Sequence, residues 1–142
     1  MPYLRTAMAA AALTVAFILP STAWAQVTAQ IGSLGQLGPE GATVTVPLIV
    51  NCDPGAFVSG VAVMVVQSTG SRPTQGSGPT TVPDPTVCTG SDQTLSVTVG
   101  IQLPIFPFKQ GKASASGVVS VFSPDPGNLT VNLGPQEIRI RK

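Results

Sequence analysis

The chain contains no histidine. A serine or cysteine nucleophile is normally activated by a neighbouring histidine, so this absence argues against the common hydrolase and cysteine-enzyme arrangements. It also removes a frequent zinc ligand, and two cysteines are too few for the usual four-ligand structural site. The sequence therefore predicts a protein that is not an enzyme and holds no zinc.

Acidic residues are scarce as well, with six Asp and Glu in the whole chain. A glycosidase needs a pair of carboxylates, but Asp53, Asp84 and Asp125 each precede a proline in a turn context, which already accounts for them. Oxygen ligands on loops suit calcium, and Asp53, Asp84 and Asp92 are the candidates for such a site. Because their spacing matches no EF-hand loop, the turn interpretation is favoured, and we expect no metal or cofactor.

Basic and aromatic residues are also few. Seven Lys and Arg give a formal net charge of +1, and the single Tyr and single Trp both lie within the first 25 residues. Nucleic-acid binding relies on many phosphate contacts by cations together with stacking aromatics. We therefore expect no nucleic-acid partner.

Two of the five phenylalanines occupy a proline-rich connection at residues 103–111, "LPIFPFKQG". Phe106 and Phe108 are the best candidates for exposed contacts with a partner, together with Arg72 in the long loop at 68–93. The alternative interpretation is that the two rings cap the end of the core.

The beginning of the chain has the three parts of a secretory signal. Arg5 supplies a positive charge, residues 7–19 form an apolar run, and Ala23 and Ala25 are the small residues of a cleavage site. The run is shorter than the roughly 20 residues that span a hydrocarbon core. The pattern predicts cleavage after Ala25.

Cleavage there would divide the chain into a signal peptide at 1–25 and a single domain at 26–142. No later stretch is apolar for long enough to span a membrane. We therefore expect a secreted, extracellular protein without a stable membrane anchor, with the cell envelope as the other destination. Its oligomeric state is not predicted.

Period-two alternation of apolar and polar residues dominates the chain, which is the signature of β-strands. The alternating or apolar segments lie at residues 26–31, 43–52, 57–67, 93–103, 112–121, 128–133 and 137–142. Short connections between them favour an all-β, immunoglobulin-like antiparallel sandwich of about six to seven strands over a closed barrel.

Three segments of this pattern carry more specific expectations. Residues 57–67 are apolar on both faces, which is typical of a central or doubly covered strand. Pro47 cannot donate to a ladder, so its strand is expected at an edge or with a bulge. Residues 68–93 are rich in Gly, Ser, Thr and Pro and are interpreted as a long loop, with a short strand near 80–82.

The two cysteines are predicted to form a disulfide. Alternation places Cys52 on the apolar face of its strand, and the chain returns to the same end at Cys88. An even cysteine count in a small exported domain indicates a structural bridge. Closing a loop of this length stabilises a fold by roughly 4 kcal/mol at most.

The order of these features resembles a group of exported immunoglobulin-like β-sandwich proteins of actinobacteria, which are uncharacterised. The resemblance covers residues 43–122 and lies in the strand that ends at Cys52, then "VAVMVVQSTG", "VCTGSDQTLSVTV" and "FPFKQGKASA". The last segment has the group's Phe-Lys-x-Gly-x-Ala pattern at Phe108, Lys109, Gly111 and Ala113. The resemblance implies export and a sandwich fold, and it assigns no catalytic or binding residue.

These observations lead to two function hypotheses. The first is an exported non-enzymatic domain that binds another extracellular or cell-surface protein through a sheet face or the 68–93 loop, or serves as a structural element. The alternative is a secreted small-molecule carrier with a pocket between the sheets. An exposed apolar patch would favour the first, and a persistent internal pocket the second.

Overall fold

A computed structural model describes residues 26–79, 86–102, 106–125 and 127–142. The predicted signal peptide, the short strand expected near 80–82 and Asp84 lie outside these residues. The strands are β1 (Val27–Ile31), β2 (Leu34–Leu37), β3 (Thr43–Cys52), β4 (Phe57–Thr69), β5 (Arg72–Ser77), β6 (Thr86–Val87), β7 (Gln93–Ile101), β8 (Gly111–Ser123) and β9 (Gly127–Arg141). A short 3-10 turn, Pro39–Gly41, precedes β3.

Seven of the strands form a closed ring, a β-barrel, in the order β3, β2, β9, β8, β4, β5, β7 and back to β3. Neighbouring strands are antiparallel except β2 and β9, which run parallel. The two remaining strands lie outside the ring, with β1 beside β3 and β6 beside β4.

The prediction of an open immunoglobulin-like sandwich is therefore wrong, although the all-β class is confirmed. Two strands, β2 and β5, join what would be the free edges of the sheets. On one side β2 connects β3 to β9, and on the other side β5 pairs with both β4 and β7. Closure removes most of the exposed edge that an open sandwich would leave.

The predicted positions of the strands agree with the structure more closely than the predicted arrangement of the sheets does. The segment 43–52 is β3 with the expected alternation, and its even positions are all buried. The two strands expected at 128–133 and 137–142 are one continuous strand, β9, in which the pair Gly134 and Pro135 forms a bulge opposite Ser116. The long loop expected at 68–93 contains β5 and β6.

Pro47 lies in a strand that is paired on both sides, so the expected edge position is wrong. On one side of Pro47 the sheet is interrupted, because β1 ends and β2 begins there. The carbonyl of Pro47 accepts a hydrogen bond from the Gly32 N–H at 2.8 Å. A β-carbon on Gly32 would lie 2.7 Å from the Pro47 ring, so the chain passes this point only with glycine.

The core fills the interior of the ring with branched apolar side chains. Its buried members include Val44, Val46, Leu48, Val50, Val58, Val61, Val63, Val65, Val97, Val99, Val119, Val121, Ile138 and Ile140. Valine dominates because a β-branched side chain suits the extended backbone and packs well on a pleated surface.

Candidate functional site

The disulfide lies at one end of the barrel. Cys52 ends β3, Cys88 follows β6, and the two residues are bonded with their Cα atoms 5.3 Å apart. Both side chains are buried, and the Cys88 N–H donates to the Ala56 carbonyl at 2.9 Å. The predicted bridge is confirmed, and its burial identifies it as a structural link between the end of β3 and the residue that follows β6.

The described acidic residues near the disulfide, Asp53 and Asp92, do not assemble into a metal site. Within the described residues, no three Asp, Glu or Cys side chains come close enough to hold a metal ion. Asp92 accepts a hydrogen bond from the Asn51 amide at 3.0 Å, and Asp53 accepts one from the Gln26 backbone N–H at 3.0 Å.

In the part of the chain that the structure describes, no helix is long and apolar enough to cross a membrane.

At the opposite end of the barrel, one buried amide fixes the segment at 106–110. Gln67 is the last buried residue of β4 and is 1% exposed. Its Oε1 accepts the Lys109 N–H at 2.8 Å, and its Nε2 donates to the Lys109 carbonyl at 2.7 Å. The Gln67 side chain thus supplies to the segment 106–110 the backbone hydrogen bonds that a neighbouring strand would otherwise make.

Phe108 enters the core at this end and is 2% exposed. Its backbone N–H donates to the Gly41 carbonyl at 2.9 Å. A β-carbon on Gly76 would lie 2.9 Å from the tip of the Phe108 ring, so the ring packs directly against the backbone of β5. Phe108 therefore caps the core, and it is not available for the partner contact that was one of its two interpretations.

Phe106 and Arg72, by contrast, come together at the surface. Arg72 begins β5, directly after the turn at Gly70 and Ser71, and its Cζ lies 5.2 Å from the centre of the Phe106 ring. This distance is within the range of a cation–π contact. The structure thus brings together two of the three residues that the sequence singled out for partner contact.

A cleft of about 400 Å³ opens beside this pair. Its walls are the β4–β5 turn at residues 69–72 and the side chains of Phe106, Pro107 and Lys109. We call it the Arg72 cleft. Sequence reasoning missed Lys109 and the turn, because the turn lay inside a segment interpreted as one irregular loop.

The charge of the Arg72 cleft is uncompensated by described residues. The one ion pair found among them joins Lys112 to Glu137 at 3.2 Å. No carboxylate of the described residues therefore lies within 4.0 Å of a side-chain nitrogen of Arg72 or Lys109. A guanidinium carries five N–H donors in a planar fork, a geometry that matches a planar anion such as a carboxylate.

An apolar surface lies on the outer face of the barrel. Phe57 and Phe122, on β4 and β8, pack with ring centres 5.1 Å apart, and Val87 of β6 lies opposite Phe57. Val87 is 64% exposed and Phe122 is 38% exposed. The expected central position of β4 is confirmed, but the described residues leave its outer face uncovered.

Gln67 was also missed, although the sequence contains a signal for it. It continues the inward-facing set of Val61, Val63 and Val65 and is the polar member of that set. A polar side chain at an inward strand position must find hydrogen-bond partners there.

No family model matches the chain, and no curated protein matches it. Among solved structures, the ApaA protein of Bordetella pertussis has a similar fold, with a TM-score of 0.52. The match covers 83% of this chain and 96% of the ApaA chain, at 9% sequence identity. A likeness at this identity concerns the fold alone.

Proposed function

We propose that the chain is an exported, non-enzymatic binding domain that contacts another extracellular or cell-surface protein through the Arg72 cleft. The observation that carries the proposal is the position of Arg72 over the Phe106 ring, with no described carboxylate within reach. Arginine and aromatic residues are the residue types enriched at protein interfaces. The disulfide is consistent with an oxidising compartment outside the cytosol.

The chemistry of the cleft favours an acidic segment of the partner. A carboxylate can accept two parallel hydrogen bonds from a guanidinium, and Lys109 adds a second positive charge to the lining of the same cleft. Phe106 and Pro107 supply apolar surface for a neighbouring side chain. The expected ligand is therefore a peptide that carries Asp or Glu next to an apolar residue.

The carrier alternative receives less support. A carrier needs internal space, but the inward positions of β3, β4 and β8 hold packed apolar side chains, and Phe108 caps one end. A native mass spectrum of the mature protein tests this alternative. A bound mass that leaves on unfolding would favour the carrier over the binding domain.

The test of the cleft is an NMR titration with two synthetic peptides that differ only in charge. One alternates Glu with Leu, and the control alternates Gln with Leu. We expect the acidic peptide to shift the amide signals of residues 69–72 and 106–109 and the control peptide to leave them unchanged. Raising the salt concentration should weaken the effect, because charge pairs at a surface are screened.

Two arginine variants separate the cleft from general surface charge. Arg72→Met should abolish the shifts, whereas Arg139→Met, which removes an exposed arginine from β9, should preserve them. Shifts centred on the basic C-terminal residues Arg139, Arg141 and Lys142 would contradict the proposed site. Equal responses to the two peptides would contradict the proposed ligand class.

A further inference from the structure

The first described residue of the chain is held by a carboxylate. The backbone nitrogen of Gln26 lies 3.0 Å from Oδ2 of Asp53. The next residue, Val27, pairs with Cys52, which is fixed by its bond to Cys88. Asp53 follows Cys52 directly, so the disulfide and the β1–β3 pairing both position the two groups that meet here.

The same nitrogen is the one that signal cleavage after Ala25 would release. Before cleavage it is an amide N–H, and after cleavage it is an α-ammonium group with a positive charge. We infer that Asp53 is the docking site of the mature N-terminus and that processing turns a neutral hydrogen bond into an ion pair. This inference rests on the export that is part of the proposed function.

The pair has a chemical consequence, because an N-terminal glutamine can modify itself. Its unprotonated α-amine attacks the side-chain amide carbon, a C–N bond forms, the bond to the amide nitrogen breaks and ammonia leaves, which gives a cyclic pyroglutamate. The attack needs the lone pair of the amine. An α-ammonium held by the Asp53 carboxylate keeps its proton on that lone pair, so Asp53 slows the cyclisation of Gln26.

The experiment uses the full chain, secreted and purified from the medium, and follows the loss of ammonia by intact mass during incubation at neutral pH. Asp53→Asn keeps the size of the side chain and removes its charge. Asp125→Asn is the matched control, because Asp125 also begins an Asp-Pro-Gly sequence, is exposed, and engages Ser123 only through its backbone carbonyl. An exposed ion pair is worth up to about fivefold in an equilibrium, so Asp53→Asn should cyclise roughly two- to fivefold faster than wild type.

The outcomes separate this inference from the proposal of export. Faster cyclisation in Asp53→Asn alone supports the docking of the N-terminus. Equal rates in the wild type and both variants, with Gln26 as the first residue of each, overturn the docking and leave export intact. A mature chain that begins at another residue overturns cleavage after Ala25 and the docking together. A far-UV circular dichroism spectrum that matches the wild type shows that each variant has folded.

Discussion

A single buried amide, Gln67, positions the residues that form one wall of the Arg72 cleft. It satisfies both backbone groups of Lys109, and its neighbours along the inward face of β4 are valines. The cleft therefore depends on a residue that does not line it. This is the usual relation between a binding surface and the scaffold that holds it.

Replacing Gln67 by Met should lower the free energy of unfolding by about 1–2 kcal/mol. The change keeps the length of the side chain but leaves the N–H and the carbonyl of Lys109 without their partner. Urea unfolding, monitored by far-UV circular dichroism, measures the difference. The matched control is Gln75→Met on the exposed face of β5, which should change stability by less than about 0.5 kcal/mol. Equal effects of the two substitutions would show that Gln67 does not anchor the segment.

Gly41 allows the chain to approach Phe108 closely, and alanine at this position should destabilise the fold. Its φ of 73° lies in the left-handed region, and a β-carbon would lie 2.9 Å from Cβ of Pro107. We expect Gly41→Ala to cost about 3 kcal/mol, of which about 1 kcal/mol is backbone strain and the rest is crowding.

Gly55→Ala separates the two contributions to the Gly41 result. Gly55 has a φ of 90° but open space around the position of a β-carbon. It should therefore show the strain alone, about 1 kcal/mol in the same urea experiment. If the two alanine variants lost the same stability, the contact between Gly41 and the Phe108 segment would not be tight.

Among the elements, the link between β3 and the residues after β6 is covalent. Cys52 and Cys88 are both buried, so the bridge lies inside the core rather than on the surface. We expect the double variant Cys52→Ala and Cys88→Ala to lose up to about 4 kcal/mol, because its unfolded chain regains the freedom that the bridge removes.

The control for the disulfide prediction is a reducing agent. It should lower the urea midpoint of the wild-type protein to near that of the double variant and should leave the double variant unchanged. A wild-type midpoint that does not respond to reduction under unfolding conditions would contradict a stabilising role of the bridge.

The elements that the sequence predicted are those with strong alternation. β3 has Val, Leu or Cys at every even position, and β7 alternates Leu, Val or Ile with Thr, Ser or Gly, so their buried faces could be predicted directly. β5, "RPTQGS", buries only Thr74 and Gly76, and neither is a large apolar residue. Its strand character comes from its partners β4 and β7, and local sequence does not contain that information.

The Arg72 cleft could be predicted only in part from the sequence. Phe106 and Arg72 stood out because aromatic and basic residues are rare in this chain. Their contact depends on β5 following β4 through a tight turn, and that hairpin was interpreted as loop. The burial of Phe108 likewise depends on the space left by Gly41 and Gly76, which are distant from it in sequence.

In the whole molecule, ring closure is uneven. β8 and β9 pair along most of their length, and β3 pairs with β7 from Thr43 to Val50. β5 and β7 meet through two residue pairs, Gly76 with Ile101 and Ser77 with Gly100. β2 and β3 also meet through two residue pairs, but a short turn connects these two strands directly. The seam between β5 and β7 has no such direct connection, so it is the place where the ring should open most easily.

Native-state hydrogen exchange tests this expectation. The Gln102 N–H donates across the seam to the Gln75 carbonyl at 2.8 Å. We expect its exchange free energy to be lower by about 2 kcal/mol or more than that of the most protected amides of β8, because opening the seam does not require global unfolding. Added urea should accelerate exchange at Gln102 only weakly, since a local opening exposes little new surface.

The opposite result would be exchange at Gln102 with the same free energy and the same urea dependence as in β8. The barrel would then open only as a unit, and the two residue pairs of the seam would be as strong as the long pairings. With a local opening, in contrast, the Arg72 cleft moves with the seam, because Arg72 and Gly76 belong to the same strand. Binding of the acidic peptide at the cleft should then slow exchange at Gln102, although the peptide does not touch that residue.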